Sequence, residues 1–454
     1  MRAGKDSGAA RTKRRAVLAA LLLTASACTG SGPAKKDGCV LTIATGVDVS
    51  GGVRQQLLDE WNAVPGHLHA CFQPISAIAD DQHSEMVSAA QAGGIVYNIY
   101  NLDIQWIPEF AAGGYLEPLD EGRHEPHKGD VPDKVWEAGS FDGVQYAAPF
   151  NADVPLLYYR TGGPLTGAPK DWAAMKADAG AYAARPGVET VLAVQLKEYE
   201  GLVVNALEAV WASGGEWVDD TGQVVIDRPD GRAALRALIE AVDPSQEPRK
   251  PLIAPRALAD AEDDSLTRFR QGHAAFMRNW AYAYEVLSGE EGTFSAAPLP
   301  WPGVLGGQYL AVAAHQNSEH RDQAQELVAA LTGTDAAGSL YHCGGFAPAR
   351  RSGFEKKAEC RPTWPRPTGT PSADTPGQKV SEIAPAGILK EALDKARLRP
   401  RTPYYTQFSK VLQEQLHELM LCHAHDRIDC DNADTFAEKI APQLRQALSG
   451  RVSQ

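Results

Sequence analysis

The segment Tyr97–Asp120, YNIYNLDIQWIPEFAAGGYLEPLD, decides the predicted fold of this chain. It continues an apolar, β-branched run (Ile95 to Ile99), which is typical of a buried strand. Asp103 and Trp106 follow, and Gly113-Gly114 ends a short helical segment. Since ligands bind at the carboxyl ends of strands in open α/β sheets, these side chains predict a binding site. A purely structural interpretation stays open, in which Asp103 caps a helix and Trp106 fills the core.

Strands and helices alternate before this segment, which predicts a parallel sheet with helices on both faces. Further along, residues 171–211 have a mainly helical pattern, and three helical runs fill the last hundred residues. Three segments that contain proline or glycine are candidate crossings between two lobes: 148–155, 297–300 and 343–351. The predicted division is residues 39–148 with 298–345 for one lobe and 149–297 with 346–454 for the other.

The amino terminus has the pattern of an export signal. Six basic residues and one acid fall within residues 1–27, around a short apolar core (Ala16 to Leu23). This core is too short to span a bilayer as a mature helix. Ala25-Ser26-Ala27-Cys28 resembles a bacterial lipobox, which predicts lipidation of Cys28 and a tether over 28–38. Lys13-Arg14-Arg15 leaves the twin-arginine and the general export routes both open.

Composition excludes some classes of partner. The chain has 454 residues and a formal net charge of −13, and the segment 1–27 contributes 6 − 1 = +5, so the rest carries −18. An acidic body of this kind repels nucleic acid. A hydrophobic content of 44% excludes a disordered polyanion.

Cysteine usage indicates disulfides in an exported protein. Apart from Cys28, six cysteines remain, an even number. Sequence proximity suggests the pairs Cys39–Cys71, Cys343–Cys360 and Cys422–Cys430. A metal site in the cluster CHAHDRIDC (422–430) is the alternative, but oxidised cysteines suit the export signal better, and we expect no metal or cofactor.

Polar and aromatic residues recur just after the predicted strands. They are Asp48, Asp103, Asn151, Asp153, Glu216, Trp217, Trp280 and Gly307. Together they predict a cleft of carboxylates, amides and indoles, which suits a neutral polyhydroxylated ligand. Trp211, like Trp106, is interpreted as core, and Arg401 as either cleft-lining or part of an interlobe contact.

Seven stretches in order resemble the extracellular solute-binding lipoproteins of sugar ABC transporters, in the maltose- and trehalose-binding branch. They span roughly residues 40–420: NLDIQWIPEFAAGGYLEPLD, DGVQYAAPFNADVPLLYY, ALEAVWASGGEWVDDTG, FRQGHAAFMRNWAYAY, PLPWPGVLGGQYLAVAA, GGFAPAR and RPRTPYYTQFSKVLQEQLHEL. The resemblance implies the two-lobe α/β fold of periplasmic binding proteins (type II) and closure on a sugar. By position it implies ligand contacts at Asp103, Trp280, Gly307 and Arg350, and at Asp48 and Asp81 in the more variable early loops.

The same resemblance implies partners and a location. We expect a monomer that binds a di- or oligosaccharide and delivers it to permease subunits. It would be held by its lipid at the outer face of a Gram-positive bacterial membrane, without nucleic acid. Tyr309 replaces a frequent Asn of this branch, and the loop 361–377 is unusually rich in Pro and Thr, so the sugar stays open. The alternatives are a secreted glycoside hydrolase, which would need a marked carboxylate pair, and a ligand-sensing lipoprotein of a signalling system.

Overall fold

The computed structural model describes residues 38–92, 95–161, 165, 167–183, 185–244, 251–288, 294–360, 383–425 and 427–451. The predicted signal peptide, the lipidation site Cys28 and nearly all of the predicted tether lie outside the described residues, as does the loop 361–377. Among the described residues, no helix combines the length and the apolar character that a membrane span requires.

The strands are short, and most are buried. Their bounds are β1 Leu41–Thr45, β2 Ala70–Pro74, β3 Ile99–Asp103, β4 Ser140–Phe141, β5 Val144–Gln145, β6 Ala147–Asp153, β7 Pro155–Arg160, β8 Thr190–Ala193, β9 Ala274–Trp280, β10 Phe294–Pro298 and β11 Gly306–Val312.

The helices cover the faces of the sheets. Their bounds are α1 Val53–Asn62, α2 Ala79–Gln91, α3 Ile107–Ala112, α4 Asp133–Glu137, α5 Trp172–Ala183, α6 Glu200–Ala212, α7 Pro229–Val242, α8 Glu262–Arg270, α9 Ala283–Ser288, α10 Ser318–Leu331, α11 Thr334–Gly344, α12 Ala386–Lys395, α13 Tyr405–Ala424 and α14 Ala433–Leu448. The three helical runs predicted near the carboxyl terminus are confirmed.

Two sheets form the two halves of the described chain. The first has the strand order β2-β1-β3-β11-β6, and the second has the order β10-β7-β9-β8. Strand β1 is parallel to β2 and β3, as the alternation predicts, whereas β11 is antiparallel to both of its neighbours. We call each sheet with its covering helices a lobe. This is the mixed α/β fold that the sequence predicts.

Local chemistry explains several of these elements. Every residue of β1 is buried because the sheet is covered on both faces, which suits its apolar, β-branched sequence. Asn317 caps α10 by accepting a hydrogen bond from His320 N at 2.9 Å. Residues 171–211 are mainly helical, as predicted, but Thr190–Ala193 between α5 and α6 forms the fully buried strand β8 beside β9. Long-range pairing with β9 determines this strand.

The first two connections between the lobes lie at or just beyond the predicted segments. Strand β6 ends in the first sheet at Asp153, and β7 begins in the second at Pro155. Residues 299–305 lead back from β10 to β11. A third connection runs beside the second one, since Val304 forms a bridge with Arg397 shortly before α13.

The third crossing predicted at 343–351 is wrong. Ala347 pairs with Ala152 at the edge of the first sheet. Beyond it, Ser352 Oγ donates to Asp130 Oδ2 at 2.8 Å, so the chain is still packed in the first lobe. The first lobe therefore extends further along the chain than the sequence suggests. The other lobe boundaries stay predictions.

All three predicted disulfides are present. Cys39–Cys71, Cys343–Cys360 and Cys422–Cys430 have Cα–Cα distances of 5.7, 5.3 and 5.6 Å. Cys39–Cys71 joins the starts of β1 and β2, which are adjacent parallel strands. Cys422–Cys430 joins the end of α13 to the loop before α14, so the sulfur atoms of the alternative metal site are bonded to each other.

Candidate functional site

The ends of four strands meet between the two sheets. Asp103 ends β3, Asp153 ends β6 and Trp280 ends β9, while Gly306 begins β11. The pairing register brings these ends together, because Gly306 lies opposite Asp153, and Pro155 lies opposite Trp280. Three of these residues, Asp103, Asp153 and Trp280, are among those predicted from strand ends, and the predicted Gly307 is the neighbour of Gly306 in β11.

A cavity of about 200 Å³ lies at this point. We call it the interlobe cavity. Its lining residues are Ala77, Ala79, Gln82, Asp103, Trp106, Asp153, Tyr199, Glu200, Gly201, Val204, Glu262, Trp280, Gly306, Gly307, Gln308 and Arg399.

Gly307 is required by the backbone on the β11 side of the cavity. Its φ of 135° is one that L side chains rarely adopt, and an added Cβ would lie 2.5 Å from the carbonyl oxygen of Asn151. The residue thus allows β11 to approach β6 closely where the register shifts between Gln308 and Tyr309. It lines the cavity through its backbone.

Asp103 caps a helix and also lies on the wall of the interlobe cavity. Its Oδ1 accepts a hydrogen bond from Ile104 N at 3.1 Å, which caps the 3₁₀ helix Ile104–Trp106. Its Oδ2 accepts one from Gln105 Nε2 at 2.8 Å. The side chain still faces the cavity and is 27% exposed. The cap fixes the orientation of the carboxylate toward the space where a ligand would lie.

Asp153 is an acid of the cavity wall whose pKa is shifted. Burial raises the pKa of Asp153 to about 6, and the negative charge of Asp103 acts in the same direction. The buried guanidinium of Arg54, which donates to Gln308 Oε1 behind the wall, opposes the shift. Two carboxylates from the strands on either side of β11 therefore repel each other at the end of the first sheet.

The second lobe contributes a buried ion pair. Arg399 Nη1 lies 2.8 Å from Glu200 Oε1, and its Nη2 lies 3.9 Å from Asp103 Oδ1. Glu200 also accepts hydrogen bonds from the hydroxyls of Tyr405 and Ser409, each at 2.5 Å. Burial raises the pKa of Glu200, while Arg399 and these two hydroxyls oppose that shift. The Arg399 side chain, which belongs to the third connection, thereby contacts both lobes.

Three aromatic rings line the cavity: Trp106, Trp280 and Tyr199. The Arg278 guanidinium lies 4.1 Å from the centre of the Trp280 ring and pairs with Glu208, which holds the indole at the end of β9. Tyr199 donates to Glu262 Oε2 at 2.7 Å. Flat apolar faces beside carboxylates suit a ligand that has both hydroxyl groups and a C–H surface.

Four residues of the first lobe that were predicted for the site do not line the interlobe cavity. Asp48 accepts hydrogen bonds from the backbone and hydroxyl of Ser50. Asp81 is exposed in the first turn of α2, although its neighbour Gln82 does line the cavity. Asn151 is fully buried behind the cavity wall, opposite Gln308. Arg350 also lies outside the cavity lining.

Arg350 has a structural environment. It is 3% exposed, and it donates to the carbonyl oxygens of Thr332, Glu125 and Pro126, while also pairing with Asp130 at 3.2 Å. These contacts hold a loop of the first lobe. Arg350 is therefore not among the residues that line the interlobe cavity.

Glu216 and Trp217 follow a helix, α6, and not a strand, which explains why the strand-end rule fails there. Glu216 accepts from Trp211 Nε1 at 2.8 Å and from Arg397 at 2.7 Å. Trp217 is fully buried in the second lobe and donates to the carbonyl oxygen of Ala206. Both therefore support the second lobe and lie outside the interlobe cavity.

Several cavity residues were not predicted. Tyr199, Glu200 and Glu262 lie at helix starts in the second lobe, and Arg399 lies in the third connection. Acids in a first helical turn are common for reasons of helix electrostatics, so they carry no specific signal in sequence. Arg401, interpreted from the sequence as cleft-lining or as part of an interlobe salt bridge, does not line this cavity and instead donates to the carbonyl oxygens of Glu137 and Ser140 in the first lobe. It therefore contacts the first lobe through hydrogen bonds, whereas Arg399 lines the cavity.

The sequence model of the bacterial extracellular solute-binding proteins matches residues 74–359, which is more than half of the chain. The chain belongs to this family. It is therefore a solute-binding protein and not an enzyme, and the glycoside hydrolase alternative is not retained.

Relatives and solved structures agree with this membership. A "Probable ABC transporter-binding protein" of Deinococcus radiodurans is 34% identical over 260 residues, 52% of this chain and 58% of the relative. An "Uncharacterized lipoprotein" of Streptomyces antibioticus is 29% identical over 151 residues, 32% of each chain. The chain thus spans less than two thirds of the length of either relative.

Among solved structures, maltose-bound MalE3 of T. maritima has a TM-score of 0.74 and 25% identity, and the match covers 89% of this chain and 98% of that one. The sugar-binding protein MalE of Xanthomonas citri has a TM-score of 0.67 and 18% identity, with coverage of 90% and 97%. These matches show that the solute-binding protein shares one fold with sugar-binding receptors over most of its length.

Proposed function

We propose that this solute-binding protein is the receptor of a sugar ABC importer and that it binds a di- or oligosaccharide in the interlobe cavity. The observation that carries the proposal is the convergence of Asp103, Asp153 and Trp280 at one point between two sheets. Carboxylates accept strong hydrogen bonds from hydroxyl groups, and an indole covers the C–H face of a pyranose. The maltose-bound neighbour of the same fold supports a sugar as the ligand class.

Contacts between the lobes support binding by closure of a hinge. Thr406 Oγ1, at the start of α13 in the second lobe, donates to Glu109 Oε2 of α3 in the first lobe at 2.8 Å. His83 Nε2 of α2 lies 2.8 Å from the same oxygen. We call His83, Glu109 and Thr406 the interlobe clasp. These contacts favour the closed arrangement, and their loss would accompany opening.

Delivery and anchoring complete the proposal. The Deinococcus relative is named as an ABC transporter-binding protein, which supports an ABC transporter as the partner. The lipobox-like sequence that ends at Cys28 supports a lipid anchor, and the Streptomyces relative is named as a lipoprotein. We infer a monomer that is tethered to the outer face of a Gram-positive membrane through residues 28–38.

Calorimetric titration of the purified protein with a panel of mono- and disaccharides tests the ligand. We expect saturable binding of at least one sugar. Asp103→Asn and Trp280→Ala should each weaken it by about tenfold or more, since a charged hydrogen bond or an aromatic contact contributes roughly 1–3 kcal/mol. The matched control is Asp59→Asn, an exposed acid on α1 that does not line the cavity.

Two results would contradict this proposal. A folded sample that binds no sugar of the panel would remove the ligand class. Unchanged affinity in both Asp103→Asn and Trp280→Ala would show that sugar binds elsewhere on the protein.

A further inference from the structure

The interlobe cavity has more carboxylates than cations. Four acids line it, Asp103, Asp153, Glu200 and Glu262, whereas Arg399 is the one basic residue among its described lining residues. A neutral polyol requires acceptors for its hydroxyl groups, but it does not require an excess of negative charge. The excess of negative charge in the cavity wall therefore bears on which charge the ligand carries.

The ion pairs of the cavity leave two of these acids without a cation. Arg399 pairs with Glu200 at 2.8 Å and approaches Asp103 at 3.9 Å. Among the residues that the structure describes, neither Asp153 nor Glu262 forms a salt bridge. Glu262 has only the neutral hydroxyl of Tyr199 as a side-chain donor, at 2.7 Å.

The other arginines near the wall are already engaged. Arg54 lies behind it, 3.9 Å from Asp48, with its guanidinium directed to Gln308. Arg278 pairs with Glu208 through two hydrogen bonds, at 2.7 and 2.8 Å. Closing the cavity around a neutral ligand would leave the repulsion between Asp103 and Asp153 in a medium with less water, where it is stronger.

An aromatic ring lies beside the unpaired acid. A Cβ built on Gly306 would lie 3.2 Å from Asp153 Cβ and 3.3 Å from Cζ3 of Trp280, so both side chains border one small space. Both residues line the cavity. A carboxylate next to an indole face is the combination that binds organic ammonium groups, through a charge-assisted hydrogen bond and a cation–π contact.

We propose that the solute of this protein is a cationic sugar, with a protonated amino group that binds between Asp153 and the Trp280 ring while its hydroxyl groups contact the other acids of the cavity. This inference rests on the proposed function and specifies the ligand class of the same site. Asp153 is the residue that determines the specificity for the charge.

Matched ligand pairs test the inference. The probes are D-glucosamine, 3-amino-3-deoxy-D-glucose and 6-amino-6-deoxy-D-glucose against D-glucose, and 2-amino-2-deoxytrehalose against trehalose. N-acetyl-D-glucosamine is the control that retains the nitrogen without its charge. We expect at least one amino sugar to bind about tenfold or more tightly than its neutral parent, which is the effect of one buried charge-assisted hydrogen bond.

Variants of the acids that line the cavity test which residue causes the preference for the amino sugar. Asp153→Asn should reduce the ratio between the amino sugar and its parent to less than about threefold, because the neutral amide removes the charge that would pair with the ammonium group, whatever the variant does to the affinity for the neutral sugar. Asp59→Asn should leave the ratio unchanged. If Asp153→Asn does not fold by circular dichroism, Glu262→Gln provides the second measurement, with a smaller reduction in the same direction.

Each outcome decides something different. Binding of neutral sugars with no amino sugar above its parent would overturn this inference and leave the proposed function in place. A preference that persists in Asp153→Asn would overturn the role of this residue. If neither class binds to the folded protein, the proposed function fails, and this inference fails with it.

Discussion

Replacing Arg399 by methionine should destabilise the protein far more than removal of a typical surface ion pair. The Arg399 and Glu200 side chains are only 4% and 9% exposed, and their closest atoms are 2.8 Å apart. Methionine keeps a long unbranched side chain but leaves Glu200 buried without a cation. Breaking a buried pair in this way costs about 3–5 kcal/mol, because the remaining charge is uncompensated.

The charge of Glu200 should make the stability of this variant depend on pH. Burial raises the pKa of Glu200 above its ordinary value, and Arg399 opposes that shift, so loss of the arginine raises the pKa further. The folded state then binds more protons than the unfolded state between the two pKa values. Stability is therefore greatest below the unfolded pKa and is lost as the pH rises through the folded one.

Guanidinium chloride denaturation followed by tryptophan fluorescence at several pH values provides the assay. The double variant Glu200→Gln with Arg399→Met should recover most of the loss, since the amide oxygen of glutamine can accept from one of the hydroxyls of Tyr405 and Ser409 while its NH2 group donates to the other. The matched control is Arg397→Met, two residues away. Its pair with Glu216 is 34% and 30% exposed, so it should cost at most about 1 kcal/mol.

The result that would refute this reasoning is specific. If Arg399→Met costs no more than Arg397→Met, or if the added Glu200→Gln change restores nothing, the destabilisation does not come from an uncompensated buried carboxylate.

Three further predictions follow from single side chains. The wild type should lose stability as the pH rises from about 4 through 6, because the raised pKa of Asp153 means that its folded state holds a proton that the unfolded state has released. Asp153→Asn should remove this loss. If thermal unfolding depends on pH in the same way in both proteins, this prediction is wrong. Gly307→Ala should lower the free energy of unfolding by about 1–3 kcal/mol, since its Cβ would meet the oxygen of Asn151 at a φ of 135°; an unchanged melting temperature would show that the strand adapts. Thr406→Val should weaken sugar affinity by roughly three- to tenfold, the effect of about 1 kcal/mol from the lost hydrogen bond to Glu109; calorimetry that gives wild-type affinity in a folded variant would exclude a role of the interlobe clasp in closure.

Patterns of neighbouring residues were sufficient to predict the cavity residues that lie at strand ends. Asp103, Asp153 and Trp280 were predicted from their positions after apolar runs, and all three line the interlobe cavity. Alternation of strands and helices gave the parallel part of the first sheet, and sequence proximity gave the disulfide pairs. Each of these features depends on residues that are close in sequence or on a short period.

Long-range packing decided the rest. Glu200 and Arg399 are 199 residues apart, and nothing in either neighbourhood marks them as partners. Trp217 resembles Trp280 in sequence as an indole after a polar residue, yet one is fully buried in a lobe core and the other lines the cavity. Strand periodicity determines which face a side chain occupies, but the register of distant segments determines what that face meets. The sequence by itself therefore determined the fold class and the strand-end residues Asp103, Asp153 and Trp280, whereas only the tertiary structure decided which charges of the second lobe and the third connection line the same cavity.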